Sequence, residues 1–251
     1  MRPTFLAAAL LLAGCAATAP VHVPETAGID AVLIGEQHDA DAHGRIHERW
    51  VSTLAQRGHL GAVALEMAER GTSTAGLPPT ATDDEVREAL KWNKGTGWPW
   101  ERYGPAIMAA VRAGVPVVGG NLSREQMRAA MKDETLDVLL PGPALKAQQQ
   151  AIRRGHCDML PETQVQPMTR VQIARDVSMA STISSSATAG KTVVLLAGSG
   201  HVLPDLGVPQ HLPPRLVARS VLLPSQETGK DYCAEFKRQQ EQHRPRPQAA
   251  G

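Results

Sequence analysis

Two tetrapeptides in this chain share the spacing Gly-x-x-His: Gly35-Glu36-Gln37-His38 and Gly198-Ser199-Gly200-His201. Each follows an apolar run, residues 31–34 in the first case and 192–197 in the second. A glycine at such a point lets the backbone turn sharply or approach a ligand closely, and the histidine is presented beyond the run. Glu66 and Asn121 stand at similar places, after the apolar residues 62–65 and 115–118. Carboxylates and imidazoles together can move protons or ligate a divalent metal whose bound water becomes a nucleophile near neutral pH. A mixed Glu/His set suits Zn²⁺ or Mn²⁺ better than Ca²⁺, which prefers oxygen ligands alone. Glu36, His38, Glu66 and His201 are therefore the candidate catalytic or metal-ligating set. Taken singly, each also reads as a helix cap or a satisfied turn residue.

Other motifs do not complete. Asp39-x-Asp41-x-His43-Gly44 opens like a calcium loop but offers Trp50 where the bidentate Glu belongs. His43 and His47 sit at i and i+4 but lack the Glu of His-Glu-x-x-His. Ser199 lacks the frame of a nucleophile elbow, "GSGHVL" lacks the third glycine of a dinucleotide fingerprint, and no P-loop occurs.

The elements that must position these residues alternate. Strands are expected at 32–34, 62–65, 115–118, 192–197 and 217–223, the last at an edge. Helices are expected at 42–57, 83–91, 105–113, 123–133, 143–154 and 168–184. Near-continuous apolar strands separated by helices imply one α/β domain, a mainly parallel sheet flanked by helices on both faces. In such folds ligands bind beyond the carboxyl ends of the strands, which is where the four candidates fall. The domain is expected over 29–225, with 226–251 a C-terminal segment ending in a polar tail without a core to join.

At 251 residues the chain is long enough for one such domain, burying roughly 70–75% of its unfolded surface. A formal net charge of +1 and 3% aromatic residues speak against a nucleic-acid partner. Residues 1–14 read as a signal peptide: Arg2, then an apolar run too short to span a bilayer. The run ends Leu12-Ala13-Gly14-Cys15, a lipobox, so residues 15–28 are expected to be a tether acylated at Cys15. Acyl chains contribute about 0.8 kcal/mol per buried methylene, enough for several to hold a domain on the periplasmic side of the cell envelope. Ala16 after the acylated position favours the outer membrane. Cys157 and Cys233 remain, and an oxidising periplasm would let them pair.

The blocks "VLIGEQHDADAH", "VALEMAERG", "WPWERYGPAI", "VPVVGGNLSR", "RGHCDMLPE", "RVQIARDVSMA" and "VVLLAGSGHVLPDLGVPQHL" resemble, in order, those of the ChaN family of haem-binding, iron-regulated lipoproteins. The resemblance runs from about residue 31 to 223. It implies an α/β fold, haem binding in iron uptake, an outer-membrane haem or iron receptor as partner, and a homodimer able to hold two stacked haems. The wider group includes the Tiki proteases and erythromycin-esterase-like hydrolases, in which matching Gly-x-x-His and Glu residues are thought to form a metal-assisted or acid–base site. Two functions follow. For haem, iron takes a Tyr, His or Met axial ligand between apolar walls. The candidates are Tyr103 with Trp98 and Trp100 beside it, and His43, His47 and His156. For a hydrolase, Glu36, His38, Glu66 and His201 would carry the reaction.

Overall fold

The structure is a computed structural model that describes residues 22–92 and 97–242. Five apolar runs become strands: β1 (Ala31–Glu36), β2 (Leu60–Glu69), β3 (Val117–Asn121), β4 (Thr192–Gly198) and β5 (Ala218–Leu222). They pair in parallel in the order β3-β2-β4-β1-β5. β1 and β4 are buried along their whole length, which is why they read as unbroken apolar runs. Alternation sends Val32, Ile34, Val63, Leu65, Val194 and Leu196 to one face, and Ala31, Leu33, Ala64, Val193 and Leu195 to the other.

The first face is covered by α1 (Asp41–Gln56), α2 (Asp83–Ala89) and α3 (Trp100–Arg112), through Trp50, Leu54, Val86, Tyr103 and Ile107. The second is covered by α6 (Glu162–Ser186), through Met179, Ala180 and Ile183. Two further helices, α4 (Arg124–Ala130) and α5 (Gly142–Gly155), flank α6 around a small cluster that includes Leu136, Leu140, Val171 and Ile173. The expected single α/β domain with both faces covered is the observed one.

Two helices begin earlier than expected, for one reason. In α3 and α6 a proline at or just before the expected start, Pro105 or Pro167, is the sixth residue of the helix. Proline there removes one backbone bond and crowds the preceding turn, at about 3 kcal/mol. Burying Trp100 and Tyr103 in α3, and Val165 in α6, works against that cost, at about 2 kcal/mol per large apolar side chain. Local propensity yields to packing. Within the C-terminal segment, residues 232–242 form a helix, α7 (Tyr232–Gln242). None of its residues is buried. A disulfide between Cys157 and Cys233 ties it to the turn after α5.

Residues 1–21 and 243–251 lie outside the described residues, and with them the expected signal peptide, Cys15 and the end of the expected tail. Among the described residues, no helix is long and apolar enough to cross a membrane.

Strand register is what brings the candidate residues together. Glu36 of β1 lies opposite Gly198 of β4, and Leu65 of β2 lies opposite Leu196 of β4. The pairing of β4 with both neighbours therefore stops at about one level, β2 running on beyond it, with Glu36 and Glu66 on either side of Gly198.

Candidate functional site

Glu36 is the last residue of β1 and is almost fully buried. Its Oε1 accepts a hydrogen bond from His38 Nδ1 at 2.7 Å and another from the Tyr103 hydroxyl at 2.5 Å. Its Oε2 faces His47 Nε2 at 3.4 Å. The Glu36–His38 bond fixes the proton on Nδ1 and turns Nε2 towards Glu66 Oε2, 3.8 Å away. Burial works to lower the His38 pKa, but the Glu36 hydrogen bond and the charges of Glu66 and Glu36 outweigh it and raise it.

The second group centres on Glu66, just beyond the register-matched part of β2. Its Oε2 accepts the Gly198 backbone N–H at 2.6 Å, and its Oε1 accepts from the Arg175 guanidinium. His201 Nε2 stands 3.5 Å from Oε1, while His201 Nδ1 donates to Asp176 Oδ1 at 2.5 Å. His201 is thus held between two carboxylates. Burial pulls its pKa down, yet Glu66 and Asp176 push it up to about 9, so it carries a proton at neutral pH. Burial would raise the Glu66 pKa; His201 and Arg175 instead hold it well below the usual carboxylate range. Asp176 goes the other way, because its burial outweighs His201.

A cleft of about 700 Å³ opens over both groups. Its lining includes His38, Glu66, Gln172, Arg175, His201 and Tyr232. The structure therefore brings all four residues of the first candidate set to one cleft. It does not arrange them as a metal cage. Among the described residues no three His, Cys, Asp or Glu side chains are placed to share an ion. The donor set explains this: the Arg175 guanidinium takes the place beside Glu66 that a cation would need, and Glu36 is engaged by His38 and Tyr103. The Zn²⁺ or Mn²⁺ reading lacks its ligand geometry here.

The expected haem ligands fall elsewhere. Tyr103 is fully buried, its hydroxyl committed to Glu36. Burial and then the Glu36 charge push its pKa far above the ordinary phenol value, away from the phenolate an iron would bind. His43 is buried too, its Nδ1 accepting from Gln37 N–H and its Nε2 donating to the Pro224 carbonyl. His47 is fully buried and burial lowers its pKa to about 4, despite Glu36 nearby. His156 donates to the Ile152 carbonyl and meets the edge of Phe236. Trp100 is buried and donates to Asp83. Trp98 alone of the indoles touches the site, its ring 4.7 Å from that of His38. Amphipathic spacing on α1 and α3 turned Tyr103, His43 and His47 inward.

Gln172, Arg175, Asp176 and Tyr232 were not anticipated. The first three have a visible signal, because spacing i, i+3, i+4 puts them on one face of α6. Tyr232 has none, since a helix without buried residues has no core-facing pattern.

Gly198 leaves room for the His38 ring. A Cβ there would stand 2.7 Å from His38 Nε2 and 3.5 Å from Glu66 Oε2. Gly198→Ala is expected to displace the His38 ring and destabilise the fold by about 1–3 kcal/mol, the cost of overpacking. Urea unfolding with NMR of the His38 ring protons checks it; unshifted His38 resonances would show that the ring does not lie against β4.

The protein-family model described as haem-binding uptake, Tiki superfamily, ChaN matches residues 23–212. No curated protein sequence matches the chain. Among solved structures, ChaN of Campylobacter jejuni, described by its cofacial haem binding, superposes with a TM-score of 0.66 at 23% identity, over 82% of this chain and 85% of that one. That likeness is one of fold. The type III effector HopBA1 aligns with a TM-score of 0.44 at 16% identity, over 80% of this chain and 79% of that one.

Proposed function

This chain belongs to the ChaN family of haem-binding uptake proteins in the Tiki superfamily, and from that premise we propose that its carboxyl-edge cleft takes haem. The observation that carries the reading is His38, whose imidazole opens on the cleft with 38% of its side chain exposed and its Nδ1 held by buried Glu36. Metal-ligating histidines are typically backed in this way by a carboxylate that fixes tautomer and orientation. The cleft volume, about 700 Å³, lies within the range of cofactor sites, about 300–1,000 Å³. Leu223 and Tyr232 give it apolar wall, and Trp98 backs His38.

Haem, when bound, would supply an iron open to an imidazole ligand; His38 would be that ligand, oriented by Glu36, which Tyr103 in turn holds, and Leu223 and Tyr232 would supply apolar wall. The lipobox at Cys15 supports acylation, anchoring at the periplasmic face of the outer membrane and a role in iron uptake beside a haem receptor. The cofacial haems described for the Campylobacter jejuni relative support a homodimer.

Haemin titration of the detergent-solubilised full chain tests this. A saturable Soret shift is expected, weakened at least tenfold in His38→Ala. Full-strength binding by that variant would exclude His38, and the absence of any saturable shift would overturn the haem reading.

A second reading rests on the Asp176–His201–Glu66 arrangement. A buried imidazolium beside a carboxylate, opposite His38, is equipped for acid–base hydrolysis. Ester or peptide hydrolysis by haem-free protein, lost in His201→Asn, would favour it.

A further inference from the structure

The residues on either side of His38 are both bonded to the segment that follows β5. Gln37 and Gln226 exchange two hydrogen bonds: Gln226 N–H donates to Gln37 Oε1 at 3.0 Å, and Gln37 Nε2 donates to the Gln226 carbonyl at 3.1 Å. On the other side, the Tyr232 hydroxyl donates to Asp39 Oδ2. Asp39 Oδ1 also accepts from Gln37 Nε2 at 3.0 Å, so the two ties share one loop. One step earlier, the Pro224 carbonyl accepts from His43. Leu223, Ser225 and Tyr232 then form part of the cleft wall.

What holds this segment down is specific. No residue of α7 is buried, so apolar packing does not fix it. The Cys157–Cys233 disulfide anchors it to the turn after α5, and Phe236 lies edge-on to His156 with ring centroids 5.6 Å apart. Cut the anchor, and the remaining ties to the His38 loop are a few partly exposed hydrogen bonds, each of modest net strength.

We propose that residues 224–242 are a disulfide-anchored arm that positions the Gln37–His38–Asp39 loop and closes one wall of the cleft, so that the redox state of Cys157–Cys233 sets how firmly the cleft holds its ligand. The ligand part rests on the haem reading; the positioning of His38 does not. The redox step is thiol–disulfide exchange with a dithiol. Its thiolate attacks one sulfur, the Cys157–Cys233 bond breaks, and its second thiol displaces the mixed disulfide. The pair gains two electrons and two protons while the dithiol closes to a cyclic disulfide.

The test uses the full chain in three forms: oxidised, reduced with dithiothreitol, and as Tyr232→Phe, which keeps the disulfide and loses the bond to Asp39. In haem-free protein, the rate of His38 modification by diethyl pyrocarbonate is followed by peptide mass spectrometry. In haemin-loaded protein, release to apomyoglobin is timed, with circular dichroism checking the fold. Reduction is expected to speed His38 modification and haemin release at least threefold, with Tyr232→Phe between the oxidised and reduced forms. Equal His38 rates in folded oxidised and reduced protein overturn the inference. Should reduction unfold the chain, Tyr232→Phe decides, and rates unchanged from the oxidised form overturn it. Absence of haemin binding by the oxidised protein overturns the haem reading alone, because His38 modification still reports on the arm.

Discussion

Glu66→Gln destabilises the protein by about 3–5 kcal/mol at pH 7, the range for removing one partner of a buried charge pair. The two side chains are nearly isosteric, so the loss is electrostatic and not a cavity effect. Both Glu66 oxygens accept from donors, Gly198 N–H on Oε2 and Arg175 on Oε1. A glutamine has one acceptor oxygen, so its amide NH₂ must face one of those donors. His201 and Arg175 also lose the charge that balances them in a buried site. The variant should therefore unfold at markedly lower urea, with an unchanged dependence on denaturant. A loss under 1 kcal/mol would mean that the cluster does not carry these charges.

Raising the pH from about 6.5 to above 9 lowers stability by about 3 kcal/mol through His201, since its pKa rises from 6.5 to about 9 on folding. The sign follows from which state holds the proton more tightly. The folded protein does, so the stabilisation is complete below the unfolded value and disappears as pH climbs through the folded one. The acid limb is less simple. Glu66, held low, contributes stability that is lost as pH falls through its folded value, while Asp176, pushed up by burial, opposes that trend. These groups face one another and titrate as a cluster, so the alkaline limb is the clean readout. Urea unfolding at pH 6.5 and 9.5 should show the loss in the parent protein and a flatter profile in His201→Asn. Parallel profiles would place the titration on another group.

Much of the site's address was legible before the structure. Strand ends are visible in a sequence because buried parallel strands are continuous apolar runs that stop where the chain meets solvent. The residues just past them, Glu36, His38, Glu66 and His201, could therefore be placed on one edge. The Gly-x-x-His spacing pointed to a sharp turn or close approach to a ligand; that Gly198 packs against the His38 ring of the other motif emerges only in the fold.

Chemical roles were less legible. Tyr103, His43 and His47 are side chains an iron could accept, yet packing placed all three inside. Tyr103 became a support for Glu36 instead of a ligand. The starts of α3 and α6 lie upstream of the expected ones because a proline disfavours the helix interior locally, whereas burial of the preceding turn overrides that preference.

By itself, the sequence determined the fold class, the four strand-end residues and the two cysteines free to pair, because these depend on local periodicity and residue type. Three features emerge only in three dimensions: β4 lies between β1 and β2, Arg175 faces Glu66, and the segment from Gln226 to Tyr232 returns to grip Gln37 and Asp39. Register and long-range pairing leave no local trace. They follow from the whole core settling at once, and no single stretch of residues encodes them.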